Sequence, residues 1–420
     1  MTYNLAYHNE KPHISKPVPH EIWPPKATEE ELQELARQRN TDISIRGCAG
    51  PIKEFEENFI NFMENGAEYA VTFNSGTSAL LAAYFAIGLD AGDELIGPAL
   101  TYHAALSPAF ILKADVILCD IDRNSRCIDA NKIESLITEK TKAITVVHQW
   151  GHPADMDKIM EVARKHNLKV VEDCSHAHGS KYKGRFCGTF GDVAAFSLQN
   201  NKAIFAGEGG ILVTNNKDIH DRAVLLGHYR DRCRDTITNP DLQKYWETGF
   251  GLKLRMSPFN AIVAKYSLKN FEKIKIGRHK CLRYFTDRLK EVDYIETPVI
   301  EECIDMGAWY GFKPLYLKEK LNNINREKLV VALQKEGMEV SAPSGKMLSN
   351  EPLYNSENNP LFSNAYKQRH SDPKSLSIAK LVQDSALSLP TFYDWDNDKE
   401  IIDSYIEVFK KIKENYKELL

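Results

Sequence analysis

The sequence predicts an α/β fold with a mainly parallel central sheet, flanked by helices, followed by a smaller C-terminal α/β domain. Three observations carry that expectation. Short β-branched runs alternate with helical stretches of ten or so residues from Tyr69 to Asp173. The rhythm changes after about residue 225, where long charged helical stretches appear. Polar residues cluster directly after several of the strand-like runs, where open α/β sheets place their sites.

The elements follow in order. An extended, proline-bearing arm leads to the helix "ATEEELQELARQR", with Thr28 placed to cap it. A second helix reads from Pro51, with Phe55, Phe59 and Phe62 at helical spacing as core residues. "YAVTF" reads as a strand, "NSGTS" as a turn and "ALLAAYFAIGL" as a helix. Then come "DELIGPA" (strand), "TYHAALSPAFILKA" (helix), "DVILCDI" (strand), "NKIESLIT" (helix), "KAITVVH" (strand), "ADMDKIMEVARKHN" (helix) and "LKVVED" (strand). "VAAFSL" is a further strand-like segment, and apolar residues resume at Ile211–Val213. The C-terminal part holds a long helical stretch from Asn260, strand-like "GFKPLYL" and "MEVSAP", and a terminal helix. The division falls at 1–265 and 266–420. "SNEPLYNSENNPLFSN" reads as a long polar loop.

Composition excludes several classes. The 420 residues are 43% hydrophobic and 27% charged, with a net charge of −4 and no block of like charge, so nucleic acid and anionic membranes are not expected partners. No apolar run is long enough to span a membrane, and the N-terminus does not read as a signal peptide. The eight cysteines form no CxxC pair, which argues against a zinc knuckle or a disulfide framework and fits the cytoplasm.

Three strand ends carry candidate chemistry. "NSGTSA" precedes a helix, so Gly76, Thr77 and Ser78 can offer backbone N–H groups to a phosphate; a plain N-cap by Ser75 or Thr77 is the competing reading. Asp173 ends the strand "LKVVED" and can cap the next segment or face a protonated heterocyclic nitrogen. His176 and His178 follow without a third ligand at metal-binding spacing, so no metal is expected. Ser197 and Lys202 lie ahead of the cluster Gly207, Gly209 and Gly210. Lys202 reads either as a solvated loop lysine or as an amine that forms a Schiff base. Phosphate site, strand-end acid and lysine, in this order, match what pyridoxal phosphate needs.

The segments "FNSGTSALLAAYFAIGLDAGDELIGPALTY", "VVEDCSHAHGSKYKGRFCGTFGDVAAFSLQNNK" and "GEGGILVTN" resemble the DegT/StrS family of pyridoxal-phosphate-dependent sugar and cyclitol aminotransferases of fold type I. The resemblance runs from about Gly47 to the C-terminus. It implies Lys202 as the Schiff-base lysine, Asp173 as the carboxylate on the pyridine nitrogen, and Gly76, Thr77, Ser78 and Ser197 as phosphate binders. It further implies Tyr102 as the residue stacked on the cofactor ring, and His176, where glutamine is common, near the ring oxygen. A homodimer with shared active sites is implied too. The segment that crosses to the partner is usually Gly-aromatic-Asn-aromatic-Arg-Met; here it reads "GLKLRM", with Lys253 in place of the asparagine. "EDCSHAHG", "SLQNNK" and "GLKLRM" resemble the branch acting on cyclitols and related carbocycles, including scyllo-inosose aminotransferases and aminohydroxybenzoate synthases, more than the nucleotide-sugar branch.

The resulting expectation is a transaminase that moves an amino group from glutamate or glutamine to a keto sugar or keto cyclitol. A dehydratase, with histidine in place of the lysine, and a non-catalytic binding protein of the same fold are the alternatives. Arg230, Arg232 and Arg234 read as a salt-bridged surface loop or as contacts to a substrate anion. His228 and Trp150 lie near the expected site with roles unassigned.

Overall fold

The computed structural model describes residues 4–15, 23–64, 66–343, 345–355, 361 and 375–420. Parts of the N-terminal arm and of the polar stretch 349–364 therefore lie outside the described residues.

Seven strands form the central sheet: β1 (Tyr69–Phe73), β2 (Glu94–Pro98), β3 (Asp115–Cys119), β4 (Thr141–Val147), β5 (Lys169–Asp173), β6 (Val193–Ser197) and β7 (Gly210–Thr214). Their order is β1-β7-β6-β5-β4-β2-β3. The pairs from β6 to β3 are parallel, while β7 runs antiparallel to both β6 and β1. β2, β3 and β7 are buried along their whole length, as near-continuous apolar strands covered on both faces must be.

The helices follow their sequence signals. Thr28 accepts from the Glu31 N–H and caps α1 (Glu29–Arg39). In α2 (Gly50–Phe62), Phe55 and Phe59 are buried, and Phe59 meets Phe196 of β6 edge to face. α3 (Gly76–Ala86) is apolar nearly all round and buried. The Tyr84 hydroxyl on α3 satisfies itself on the Ala105 carbonyl and the Thr145 hydroxyl.

Several expectations change in the structure. "TYHAALSPAFILKA" is no continuous helix: it makes a short turn at His103–Ala105 and a second at Pro108–Ile111, because Pro108 has no N–H to continue the ladder. The charged stretch from Asn260 splits at Asn270 into α4 (Pro258–Lys269) and α5 (Phe271–Leu289). "MEVSAP" contributes only an isolated bridge, Ser341 to Ser388. α5 packs against the terminal helix α6 (Trp395–Asn415). Phe285, Phe312 and Phe409 of this region share one apolar core with Ile96, Ile117, Ile144 and Val170 of the sheet. Residue 265 falls inside α4, which packs on α2. We propose Asn270, where α4 ends, as the boundary between the two domains.

Candidate active site

Strand register brings the first group of residues together. Phe73 and Ser197 both stand opposite Gly210, so the ends of β1 and β6 flank the start of β7. Ser75 then begins α3, its Oγ accepting from the Ser78 N–H at 3.1 Å. The N–H groups of Gly76 and Thr77 have no acceptor among the described residues and stand at the positive end of the helix. A Cβ on Gly76 would lie 2.6 Å from the Cβ of Ser197, so only glycine lets the helix start approach β6 this closely. Ser197 Oγ accepts from Gln199 N–H at 3.3 Å, which leaves its own proton to donate. Ser78 stands apart: its hydroxyl donates to Asn74 Oδ1 at 2.7 Å and meets Ser75 Oγ, and it does not line the cavity.

That cavity, of about 940 Å³, opens beyond the carboxyl ends of the parallel strands and takes in Gly76, Thr77, Tyr102, Asp173, His176, Ser197 and Lys202. Asp173 is buried, and its Oδ1 accepts from the Ser175 N–H at 3.0 Å. Burial pushes its carboxyl above the ordinary range, while the Ser175 contacts and the Lys202 charge oppose the shift. Next to it in β5, Glu172 accepts from the N–H groups of Gly188, Phe190 and Gly191 and from His148 Nε2. His148, Glu172 and Cys174 are the one described cluster with metal-ligand geometry, yet Glu172 is filled by these bonds and His148 Nδ1 accepts from Ala154 N–H. His178 is buried against the Phe196 ring and lies outside the cavity wall.

Lys202 sits on the loop between β6 and β7. That loop is tied down by Trp23 Nε1 on the Asn200 carbonyl at 2.9 Å and by Asn260 Nδ2 on the Ala206 and Glu208 carbonyls, each at 2.8 Å. The side chain is only 8% exposed, which excludes the solvated-loop reading. Its Nζ has no hydrogen-bond acceptor among the described residues and lies 4.0 Å from the Tyr310 ring centre. Burial lowers its pKa to about 8, against the partial support of Asp173.

His176 stacks on Tyr310 with ring centres 4.0 Å apart. Burial and the charges of Lys202 and Lys313 hold its pKa well below the ordinary value, so the ring is neutral. Nδ1 accepts from the Trp150 N–H at 3.4 Å, which leaves the proton on Nε2. Tyr102 is 64% exposed on the cavity wall. Trp150 lines the cavity from a left-handed backbone position, φ 56°. Tyr310 and Lys313 also line it. They escaped the sequence reading because they lie more than a hundred residues beyond Lys202, Tyr310 just before a strand-like run and Lys313 within it.

The arginine run follows the salt-bridged surface reading at Arg234 and departs from both sequence readings at the buried Arg232. Arg232 is buried and pairs with Glu56 at 3.0 Å, Arg234 pairs with Asp231 and Asp235 at the surface, and none of Arg230, Arg232 and Arg234 reaches the cavity. His228 is buried against Phe73, also outside it. Lys253 is exposed and away from this chain's cavity.

These residues fit pyridoxal phosphate. The open helix start with Ser197 suits a phosphate, the buried Asp173 carboxylate on the cavity wall suits a pyridinium as counter-charge, and the Lys202 amine, with no hydrogen-bond acceptor among the described residues, faces the same space. The DegT/DnrJ/EryC1/StrS aminotransferase family matches residues 25–403. The chain belongs to this family.

Pyridoxal phosphate is accordingly the cofactor of this family member. The chain is 40% identical over 230 residues to the GDP-perosamine synthase of Escherichia coli O157:H7, covering 55% of this chain and 60% of that protein. It is 34% identical over 281 residues to the L-glutamine:2-deoxy-scyllo-inosose aminotransferase of Streptoalloteichus tenebrarius, covering 65% of each. Both matches span less than two thirds of the relative's own length. The aminotransferase structure from Psychrobacter cryohalolentis superposes with a TM-score of 0.81 at 26% identity, covering 94% of this chain and all of that one. No described helix is long and apolar enough to cross a membrane.

Proposed function

We propose that this chain transfers the amino group of L-glutamate or L-glutamine to a ketone on a nucleotide-linked sugar or a cyclitol, with Lys202 as the catalytic lysine. The observation that carries the reading is the buried, unpaired Lys202 amine facing one cavity with Asp173 and the open start of α3. When bound, pyridoxal phosphate supplies an aldehyde carbon that takes an amine and a ring that accepts an electron pair. In this reading the N–H groups of Gly76 and Thr77 and the Ser197 hydroxyl hold the phosphate, with Ser78 shaping the helix start. Asp173 stays ionised against the ring nitrogen and keeps it protonated. The His176 Nε2–H faces the ring oxygen, and Tyr102 covers one ring face. The neutral Lys202 amine is the nucleophile that holds the cofactor. Once the donor has displaced it, the amine moves a proton at its Nζ.

Relatives of both acceptor classes support a ring ketone as acceptor: one is named a GDP-perosamine synthase and another a scyllo-inosose aminotransferase. The segments "EDCSHAHG", "SLQNNK" and "GLKLRM" favour the cyclitol side. A dehydratase would carry histidine at position 202, and a non-catalytic binding protein has no need of a buried amine with its pKa lowered. The experiment is an absorption spectrum of the protein carrying pyridoxal phosphate, before and after L-glutamine or L-glutamate. A long-wavelength band that moves to shorter wavelength with one donor is expected and names that donor. A band that neither donor moves rejects the proposed donors.

A further inference from the structure

Lys313 is a second lysine in the cavity wall, and the holding of the cofactor and the proton transfer assigned to Lys202 do not use it. The segment around it alternates: Phe312 is fully buried in the core and bridges to Leu389, and the next residue turns its side chain the other way, into the cavity. Gly311 makes room for it, since a Cβ there would sit 3.2 Å from Lys313 Cε and 3.3 Å from Trp150 Cδ1. The ammonium donates to Ser388 Oγ at 3.0 Å and lies 5.5 Å from the Trp150 ring centre. No carboxylate among the described residues pairs with it, and its other two protons have no acceptor there. Burial alone lowers its pKa, to about 8. A cation removed from water without a counter-charge is unfavourable unless an anion completes it. Gln149 lines the same cavity, and its buried Oε1 has no hydrogen-bond partner among the described residues.

Building on the aminotransferase reading, we infer that Lys313 binds a carboxylate of the amino donor, with Gln149 Oε1 free to accept from an N–H of the same molecule. Depth and charge favour a carboxylate. Lys313 lines the same cavity as the reacting Lys202 amine, and the charges of both act on the His176 ring. Lys346, exposed on the cavity wall, is better placed for a phosphate arriving from solvent. One ammonium and one neutral amide match a single negative charge, whereas a diphosphate calls for several cationic donors.

The test uses glutarate, an unreactive dicarboxylate, titrated calorimetrically into the protein loaded with pyridoxal phosphate. Wild type is expected to bind it and to ignore glutaramide, which has the same length and no charge. Lys313→Met should weaken glutarate about 10-fold or more while keeping the cofactor absorbance. Lys313→Arg should restore binding to within about 3-fold. The Met variant should also raise the donor KM more than it lowers kcat. Equal glutarate binding by wild type and Lys313→Met overturns the inference, as does wild type binding glutaramide equally well or glutarate not at all. Binding of GDP that depends on Lys313, with glutarate binding that does not, also overturns it and moves the site to a phosphate. Binding of glutarate does not depend on turnover. A failed donor reaction with Lys313-dependent glutarate binding therefore removes the aminotransferase reading and leaves the anion subsite standing.

Discussion

At the scale of single residues, the chemistry depends on where burial puts two charges. Lys202 titrates near pH 8 rather than at the ordinary lysine value. At pH 7 about 10% of its amine is then neutral, against ~0.03% for an ordinary lysine. The rate at which the cofactor-free protein takes up pyridoxal phosphate covalently should rise as pH passes through about 8 and level off above it. Rapid mixing followed in the visible region measures this; a rise that continues to about pH 10.5 contradicts a buried Lys202. The same shift sets a stability trend. Between about 8 and the ordinary lysine value the unfolded chain binds more protons than the folded one, so this group adds stability to the cofactor-free protein as pH rises through that window. Lys202 and Asp173 were legible in the sequence because Asp173 ends a strand-like run and Lys202 stands shortly after another, ahead of a glycine cluster. Lys313 was not: "GFKPLYL" reads as a strand, and only the packing of Phe312 decides that the lysine faces the cavity.

At the scale of elements, the site depends on strands ending in register and on helices held to them. Glu56 of α2 accepts from the Thr72 N–H and hydroxyl of β1 at 2.8 and 2.9 Å and pairs with Arg232 at 3.0 Å. Glu56 thereby ties α2 to the strand that feeds the helix start at Gly76, and Arg232 supplies its counter-charge. Arg232→Met leaves Glu56 buried without its cation and should cost about 3–5 kcal/mol in urea unfolding, with cofactor affinity of the folded protein unchanged. A loss of cofactor affinity without a loss of stability would instead restore a binding role for this arginine. Short β-branched runs made the strands legible, and Thr28 and Ser75 made two helix starts legible. The direction of β7 was also within reach. No helix separates it from β6, and a parallel connection needs a long crossover. The breaks at Pro108 and Asn270 were missed because helical composition continues across both.

At the scale of the molecule, one apolar core joins the sheet to the C-terminal region, while the segment around Phe250 and Leu252 turns large apolar side chains outward. With Tyr245 they leave apolar side chains exposed, and we propose that a second copy covers them, as the family resemblance implies. The protein should therefore behave as a dimer in light scattering. The exposed Lys253 lies in the same segment, and Lys253→Ala should weaken pyridoxal phosphate binding if it reaches the partner's phosphate site. Unchanged affinity, or a monomer with full affinity, removes that role. Nothing in one chain's sequence pattern specifies this pairing; only the departure from the usual motif at Lys253 draws attention to it.

The most direct test of the account asks which lysine carries the cofactor, since Lys202 and Lys313 face one cavity. The protein loaded with pyridoxal phosphate is reduced with borohydride, digested and analysed by mass spectrometry. The account predicts the reduced cofactor on the peptide containing Lys202, with Lys313 unmodified. Cofactor on Lys313, or on neither lysine, would contradict it.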